Sequence, residues 1–166
     1  MVKDHLFSII SPLPGTYTLV LSSSMEKPVK VGKLGNLLLK PGFYVYIGSA
    51  FGPGGLTARL GHHLKNSSRP HWHIDYVAPI LQLYQIWYTY DPTRREHQWA
   101  EIHGVARGAS IPFPGFGSSD CSCPSHLFFY QSPPSASHFR RKIQSKFADH
   151  AKIIIAISKK FLTTSS

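Results

Sequence analysis

The stretch FYVYIGSAFGPGGLTARLGHHLK, residues 43–65, joins an aromatic strand pattern, a glycine-rich turn and a cationic helix pattern. The first part is rich in β-branched and aromatic residues and is closed by glycine, which indicates a strand. Leu56, Leu60 and Leu64 recur every four residues, which predicts a helix over 56–65 with one apolar stripe. What this chain does depends on whether the turn between strand and helix holds a phosphate.

A nucleotide cradle is the first interpretation of the turn to consider. Gly48, Gly52, Gly54 and Gly55 could bring backbone amides close to a phosphate at the start of the helix. However, the segment lacks the Gly-Lys-Ser/Thr ending of a Walker loop and contains no Gly-x-Gly-x-x-Gly motif. The turn is therefore a weak candidate for a nucleotide-binding loop.

Patterns in the rest of the chain predict a single α+β domain. Strand patterns outside the quoted stretch occupy residues 16–23, 81–90, 127–131 and 152–158. Helix patterns run from the Asp91-Pro92 start signal to Gly108 and over residues 139–150. We expect a small, mostly antiparallel sheet with a three-stranded core flanked by helices, and antiparallel pairing of the first two strong strands. The domain spans residues 1–166, with a core at about 13–130 and a C-terminal extension at 131–160.

The charge balance favours a polyanionic partner. Lys and Arg total 18 against 8 Asp and Glu, which gives a net charge of +10. No segment approaches the ~20 apolar residues of a membrane span, and no basic amphipathic helix supports membrane-surface binding. Cys121 and Cys123 are one residue apart, too close for an ordinary disulfide framework, so we expect a cytoplasmic protein.

Four short motifs follow one another in a specific order. A Gly-x-Tyr sequence ends at Tyr17, a Tyr-Ile-Gly sequence begins at Tyr46, and the helix after it carries Arg59 and His63 at i, i+4 on one face. Glu96 lies in the helix pattern after the third strand. This ordered set resembles the GIY-YIG nuclease superfamily, although a threonine stands where the first motif has isoleucine.

Two further segments resemble one branch of that superfamily, the little-characterised DUF123 group. They are HWHIDYV, residues 71–77, and GFGSSDCSCPSHLFFY, residues 115–130. Members of the branch occur alone or fused to endonuclease III-like repair proteins. The resemblance therefore implies DNA as the partner, and leaves a DNA-repair protein or self-association as a further one.

The resemblance implies a Mg²⁺-dependent (or Mn²⁺-dependent) endonuclease acting on DNA. Tyr17 would receive a proton from the attacking water, Tyr46 would position the water or phosphate, and His63 would hold or shuttle a proton. Arg59 would clamp a phosphate oxygen, because its planar guanidinium stays charged. Glu96 would hold the metal, since a hard cation can bind through one protein carboxylate while keeping waters as its other ligands.

The roles of the glutamate, the tyrosines and the histidine each have an alternative. Glu101 is a rival carboxylate five positions after Glu96, and Glu96 could pair with a surface cation such as Arg94 instead. A tyrosine titrates near ~10 and acts as a base only if neighbouring cations lower its pKa. Strand tyrosines are also commonly packing residues, and His62 lies ~100° around the helix from its neighbour.

A basic surface would hold the DNA backbone. The residues predicted to bind nucleic acid are Lys65, Arg69, Trp72, Arg94 and Arg95, with the tryptophan available for base stacking. Arg107 and residues 140–142 add further positive charge.

Two polar clusters allow more than one interpretation. Asp120, Cys121, Cys123 and His126 are potential metal ligands, but the Cys-x-Cys spacing is unusual for zinc and only scattered histidines such as His138 could complete the set. A loop whose polar side chains tie down backbone amides is the alternative.

The second cluster is His71, His73 and Asp75, which would share a face if the segment were a strand. It could hold a metal, contact DNA, or form a His–Asp hydrogen bond that orients a loop. At the level of the whole chain, two alternatives to a nuclease remain: a catalytically inactive basic nucleic-acid-binding module, and a zinc-stabilised interaction protein.

Overall fold

The computed structural model describes residues 9–65, 69–119 and 121–158. Within them the strands are β1 (Gly15–Ser23), β2 (Lys27–Val31), β3 (Gly35–Leu39), β4 (Gly42–Ala50), β5 (Gln82–Thr89), β6 (Leu127–Tyr130) and β7 (Ile153–Ile157). The α-helices are α1 (Gly55–Leu64), α2 (Glu96–Gly104) and α3 (Ala136–Lys146), and short 3-10 turns occupy Gly32–Leu34, His73–Tyr76 and Ala78–Ile80. The fold class is α+β, as predicted. Asp120 lies outside the described residues.

The main sheet has five antiparallel strands in the order β6-β4-β1-β5-β7, so the prediction of three was wrong. The predicted pairing of β1 with β4 is confirmed, and it places Tyr17 opposite Gly48. β2 and β3 form a separate hairpin. The two edge strands are only four and five residues long, and nothing in such short segments reveals which strand they join.

Side chains of the sheet alternate between two hydrophobic layers. Tyr17, Leu19 and Leu21 of β1 pack with α1 and the β2–β3 hairpin, whereas Val20 packs with α2 and α3 on the opposite face. Leu56, Leu60 and Leu64 are all buried, which confirms the predicted apolar stripe of α1. Burying each of these leucines stabilises the fold by about 1.5–3 kcal/mol, and this anchors α1 against the sheet.

Helix α2 begins at Glu96, later than the sequence predicted, because the preceding residues make other hydrogen bonds. Asp91 Oδ1 accepts from the Thr93 amide at 2.9 Å, and the Arg95 amide donates to Thr16 Oγ1 at 3.1 Å. This turn ends β5 and aims the start of α2 towards the end of β4.

The C-terminal segment belongs to the core rather than extending from it. Strand β7 pairs with β5, and Phe139 and Ile143 of α3 are buried in the same layer as Trp87 and Trp99. Helix α3 begins earlier than predicted, where the side chain of Ser135 accepts a capping hydrogen bond. Among the described residues, no helix combines the length and the apolar composition needed to cross a membrane.

Candidate active site

A cleft of about 420 Å³ opens where the end of β4, helix α1 and the start of α2 meet. Four of its lining residues come from the predicted nuclease motifs: Tyr46, Gly48, Arg59 and Glu96. The other lining residues are Ser49, Phe51, Gly52, Trp72, Arg94, His97, Gly117, Cys121 and His126. A larger cavity of about 860 Å³, beside α2 and α3, contains none of the five predicted catalytic residues.

Beneath this cleft, three buried side chains form a continuous hydrogen-bond chain, which we call the relay. The Tyr17 hydroxyl lies 2.5 Å from His63 Nε2, and His63 Nδ1 lies 2.9 Å from Asp75 Oδ1. They come from β1, α1 and the 3-10 turn His73–Tyr76, so three different segments must pack correctly to form it. Of the two neighbouring histidines, it is His63 that contacts Tyr17.

The direction of each hydrogen bond in the relay follows from the charges. Burial alone would raise the pKa of Asp75, but hydrogen bonds from His63 and from two backbone amides hold that pKa well below its usual range. Burial lowers the pKa of His63, and Asp75 only partly opposes this effect. His63 is therefore neutral at pH 7, with its proton on Nδ1 facing the carboxylate, so its Nε2 accepts from the Tyr17 hydroxyl.

Both carboxylate oxygens of Asp75 accept hydrogen bonds. Besides His63, its Oδ2 lies 3.0 Å from His62 Nε2 and accepts from the amides of His71 and Trp72, each at 2.9 Å. The segment is a 3-10 turn and not a strand, so the shared face that would have brought His71 and His73 together with Asp75 does not exist. The observed geometry matches the third interpretation of this cluster, in which His–Asp hydrogen bonds orient a loop. The histidines that bond to Asp75 are His62 and His63 of α1.

Tyr17 is fully buried, and burial raises its pKa well above the ordinary value, while the nearby Arg59 acts in the opposite direction. The lowered pKa that a tyrosine base was expected to need is therefore not produced by the protein groups. Gly48 lies directly against the phenol, and a Cβ atom at that position would overlap the hydroxyl oxygen. Because Gly48 lines the cleft, its missing side chain leaves the Tyr17 hydroxyl next to the cleft.

Tyr46 and Arg59 form the wall of the cleft above the relay. The ring centroid of Tyr46 is 6.4 Å from that of Tyr17 and 5.9 Å from that of His63. Burial raises the pKa of Tyr46 as well. Arg59 Nη1 donates to the Ser49 carbonyl at 2.7 Å, and the guanidinium stacks 4.1 Å over the Trp72 ring. These contacts fix the orientation of Arg59, while a guanidinium has further N–H donors to offer a ligand.

The structure distinguishes the two candidate carboxylates, because only one of them lines the cleft. Glu96 is the first residue of α2, lines the cleft and is 21 % exposed, with a long 3.9 Å contact to His97 Nε2. Glu101 is exposed and pairs with Lys146 of α3 at 2.5 Å. Glu96 is thus the carboxylate that faces the predicted site residues.

The predicted nucleic-acid-binding residues have different surroundings. Lys65 and Arg69 are exposed and follow α1, and Arg94 is exposed at the cleft with its guanidinium 4.7 Å over the Phe51 ring. Trp72 lines the cleft, but Arg59 already covers one face of its ring.

Arg95 was wrongly assigned to the basic surface. It is only 3 % exposed and pairs with Asp91 at 3.0 Å and with Asp149 at 3.2 Å, which joins the start of α2 to the C-terminal segment. Its guanidinium is therefore held by these two carboxylates and is not presented on the surface as the prediction required.

A second group of polar side chains borders the cleft. His97 joins Cys121, Cys123 and His126 so that one potential ligand atom of each lies within 4.8 Å of the others. We call these four residues the Cys/His cluster. The sequence pointed to the last three but missed His97, because the first turn of α2 shows no spacing that links it to the loop. His138 lines the larger cavity instead.

Comparison with known proteins gives one match. The family model described as "Domain of unknown function DUF123" matches residues 16–149, about four fifths of the chain. No curated protein and no solved structure shows significant similarity to the chain. The matched range begins in β1 and includes the relay, the cleft and the Cys/His cluster.

Proposed function

This chain belongs to the DUF123 family, and we propose that it is a metal-dependent nuclease of the GIY-YIG type that hydrolyses DNA phosphodiester bonds. The observation that carries the proposal is the relay of Tyr17, His63 and Asp75 beside a cleft walled by Arg59 and Glu96. A proton acceptor, a fixed cation and a carboxylate are the groups that phosphodiester hydrolysis requires.

In this proposal the relay removes a proton from the attacking water. A free Tyr17 phenolate is disfavoured because burial raises the pKa of the phenol. Tyr17 therefore takes the water proton while it gives its own proton to His63 Nε2, and the resulting imidazolium is stabilised by the ionised Asp75. The water oxygen forms a bond to phosphorus, the bond to the 3′ oxygen breaks, and that oxygen leaves with a proton from solvent.

Arg59 is the group best placed to hold the phosphate. Its contacts with the Ser49 carbonyl and the Trp72 ring fix the guanidinium before substrate arrives. Such preorganised donors stabilise the charge that builds up on the phosphate oxygens in the transition state, because no reorganisation is needed at that moment.

The residues at the cleft fit a single hard cation such as Mg²⁺ or Mn²⁺. Glu96 presents a carboxylate at the cleft wall without a close ion pair of its own, and one carboxylate plus waters is a common way to bind Mg²⁺. When bound, such an ion would polarise the phosphate and stabilise the departing oxygen. Arg94 and the net charge of +10 favour approach of the DNA backbone.

A second candidate is a nucleic-acid-binding module that does not cleave. It is favoured by the complete burial of Tyr17 and the direction of its pKa, since both keep the phenol neutral. This candidate needs no divalent ion and requires only the basic surface.

The test is nicking of supercoiled plasmid and of branched DNA with and without Mg²⁺ or Mn²⁺. We expect metal-dependent cutting by the wild type and a loss of at least about 100-fold in Glu96→Gln. Glu101→Gln is the matched control, because it removes the same charge from the same helix outside the cleft. Failure to cut any substrate, with binding that weakens steeply as salt rises, would favour the binding module.

A further inference from the structure

The Cys/His cluster combines ligands from two distant parts of the chain. His97 lies in the first turn of α2, whereas Cys121, Cys123 and His126 lie on the loop that leads into β6. His126 is buried, both cysteines are half-buried and free, and His97 is exposed. We propose that these four side chains form a zinc site that fastens the loop to the start of α2.

The ligand types and number are those of a structural zinc site. Tetrahedral Cys₂His₂ coordination is typical of structural zinc, and two thiolates neutralise the charge of the ion. Four protein ligands leave no open position for a substrate or a water, so the site is not expected to be catalytic.

The distances between the four ligand atoms are close to those that zinc requires. Bonds of about 2.0–2.3 Å in a tetrahedron separate the ligand atoms by about 3.3–3.8 Å. Cys121 Sγ and His126 Nε2 are already 3.3 Å apart, and all four ligand atoms lie within 4.8 Å of one another. Contraction by up to about 1–1.5 Å, which side-chain rotation can supply, would complete the coordination.

Three hydrogen bonds already order the loop around the cluster, although none of them joins it to α2. The amide of His126 donates to the Phe116 carbonyl at 2.7 Å, the Gly115 amide donates to the Pro124 carbonyl at 2.8 Å, and the Gly117 amide donates to His73 Nδ1 at 2.8 Å. These bonds present the cysteines towards α2 before metal arrives, which reduces the ordering needed for binding. The inference does not rest on the nuclease proposal, because it concerns metal content and not cleavage.

The experiment measures metal content and coordination without DNA. The full-length protein is purified in buffers free of added metal, and zinc is determined by mass spectrometry, with an expected content of about one zinc per chain. Replacement by Co²⁺ should give visible ligand-field bands of a tetrahedral site together with a thiolate-to-cobalt charge-transfer band.

The key variants are His97→Asn and Cys121→Ser, each of which removes one ligand. We expect both to lose zinc and the Co²⁺ bands, while the matched control His138→Asn, an exposed histidine on α3, retains them. His97 is exposed, so its variant should keep the wild-type circular dichroism spectrum and remain interpretable if Cys121→Ser fails to fold. A disulfide between the two cysteines in freshly purified protein, no bound zinc, or zinc retained by His97→Asn would each overturn the proposal.

Discussion

The substitution Asp75→Asn tests the relay most directly. The Asp75 side chain is only 3 % exposed and accepts from His63, His62 and the amides of His71 and Trp72. Asparagine keeps the shape but loses the charge and one acceptor oxygen. If its NH₂ group faces His63, it donates where the carboxylate accepted, and the histidine must move its proton from Nδ1 to Nε2.

The expected loss of activity is large. With its proton on Nε2, His63 cannot accept from the Tyr17 hydroxyl, so the relay is blocked at its first step. The same exchange in serine-protease triads lowers kcat by about 10⁴ because it imposes the wrong tautomer, and we expect a fall of about 10³–10⁴ here. Cleavage of plasmid at saturating metal, followed at several DNA concentrations, separates kcat from KM.

The effect on stability should be smaller and should depend on pH. The lost hydrogen bond to His63 corresponds to about 1.5–3 kcal/mol, the usual range for a bond to a charged group. Because the folded state lowers the pKa of Asp75 below its unfolded value, this stabilisation is complete above about pH 5 and disappears as pH falls through the folded pKa. Urea denaturation at pH 7, where Asp75 is fully ionised, should therefore show the full difference between wild type and Asp75→Asn.

The pH profile of cleavage distinguishes a role in the relay from a purely structural one. Wild-type activity should fall in acid as His63 becomes protonated, at a pH below its ordinary pKa. Asp75 raises the pKa of His63, so in Asp75→Asn the acid side of the activity profile should move to still lower pH. The exposed carboxylate variant Glu26→Gln is the control. Near-wild-type cleavage by a folded Asp75→Asn protein would refute the relay.

Four other outcomes are expected. Tyr17→Phe should cut DNA at least about 100-fold more slowly, measured as plasmid nicking, while retaining DNA affinity in a filter-binding assay. Gly48→Ala should displace the Tyr17 hydroxyl, and we expect loss of about 1–3 kcal/mol in urea denaturation as well as loss of cleavage. Arg95→Met removes the cation that pairs with buried Asp91, which keeps its hydrogen bonds from the amides of Thr93 and Ala151, and should cost about 1.5–3 kcal/mol in the same measurement. The exposed neighbour change Arg94→Met should cost less than about 0.5 kcal/mol. Arg94→Met should instead lower the slope of log affinity against log salt by about one in DNA-binding titrations, and an unchanged slope would show that this arginine does not contact DNA.

Local patterns predicted the elements of this fold better than their arrangement. The aromatic alternation of β4 and the leucine stripe of α1 could be recognised because each element shows one periodicity over its own length. The burial of Arg95 could not be recognised from the sequence, because its partner Asp149 belongs to a distant segment. A sequence window contains no information on such pairings, which are set by tertiary packing.

The candidate site shows the same difference between local spacing, which the sequence reveals, and tertiary contacts, which it does not. His63 was preferred over its neighbour from helical spacing alone, and in the structure it is His63 that contacts Tyr17. The contact between His63 and Asp75 required the chain to turn back after α1, and His97 reaches the cysteines only because α2 starts beside the loop. Both contacts are products of the fold and therefore had no local signature.

The order of strands in the main sheet has a consequence for biosynthesis. The central strand β1 is made first, but its second partner β5 follows much later and the two edges are completed only by β6 and β7. During synthesis, β1, β4 and β5 therefore form a sheet with two unpaired edges until β6 and β7 emerge in the last third of the chain. Such non-local pairing slows folding and exposes aggregation-prone intermediates, so we expect chaperone dependence to increase when translation of that last third is slowed.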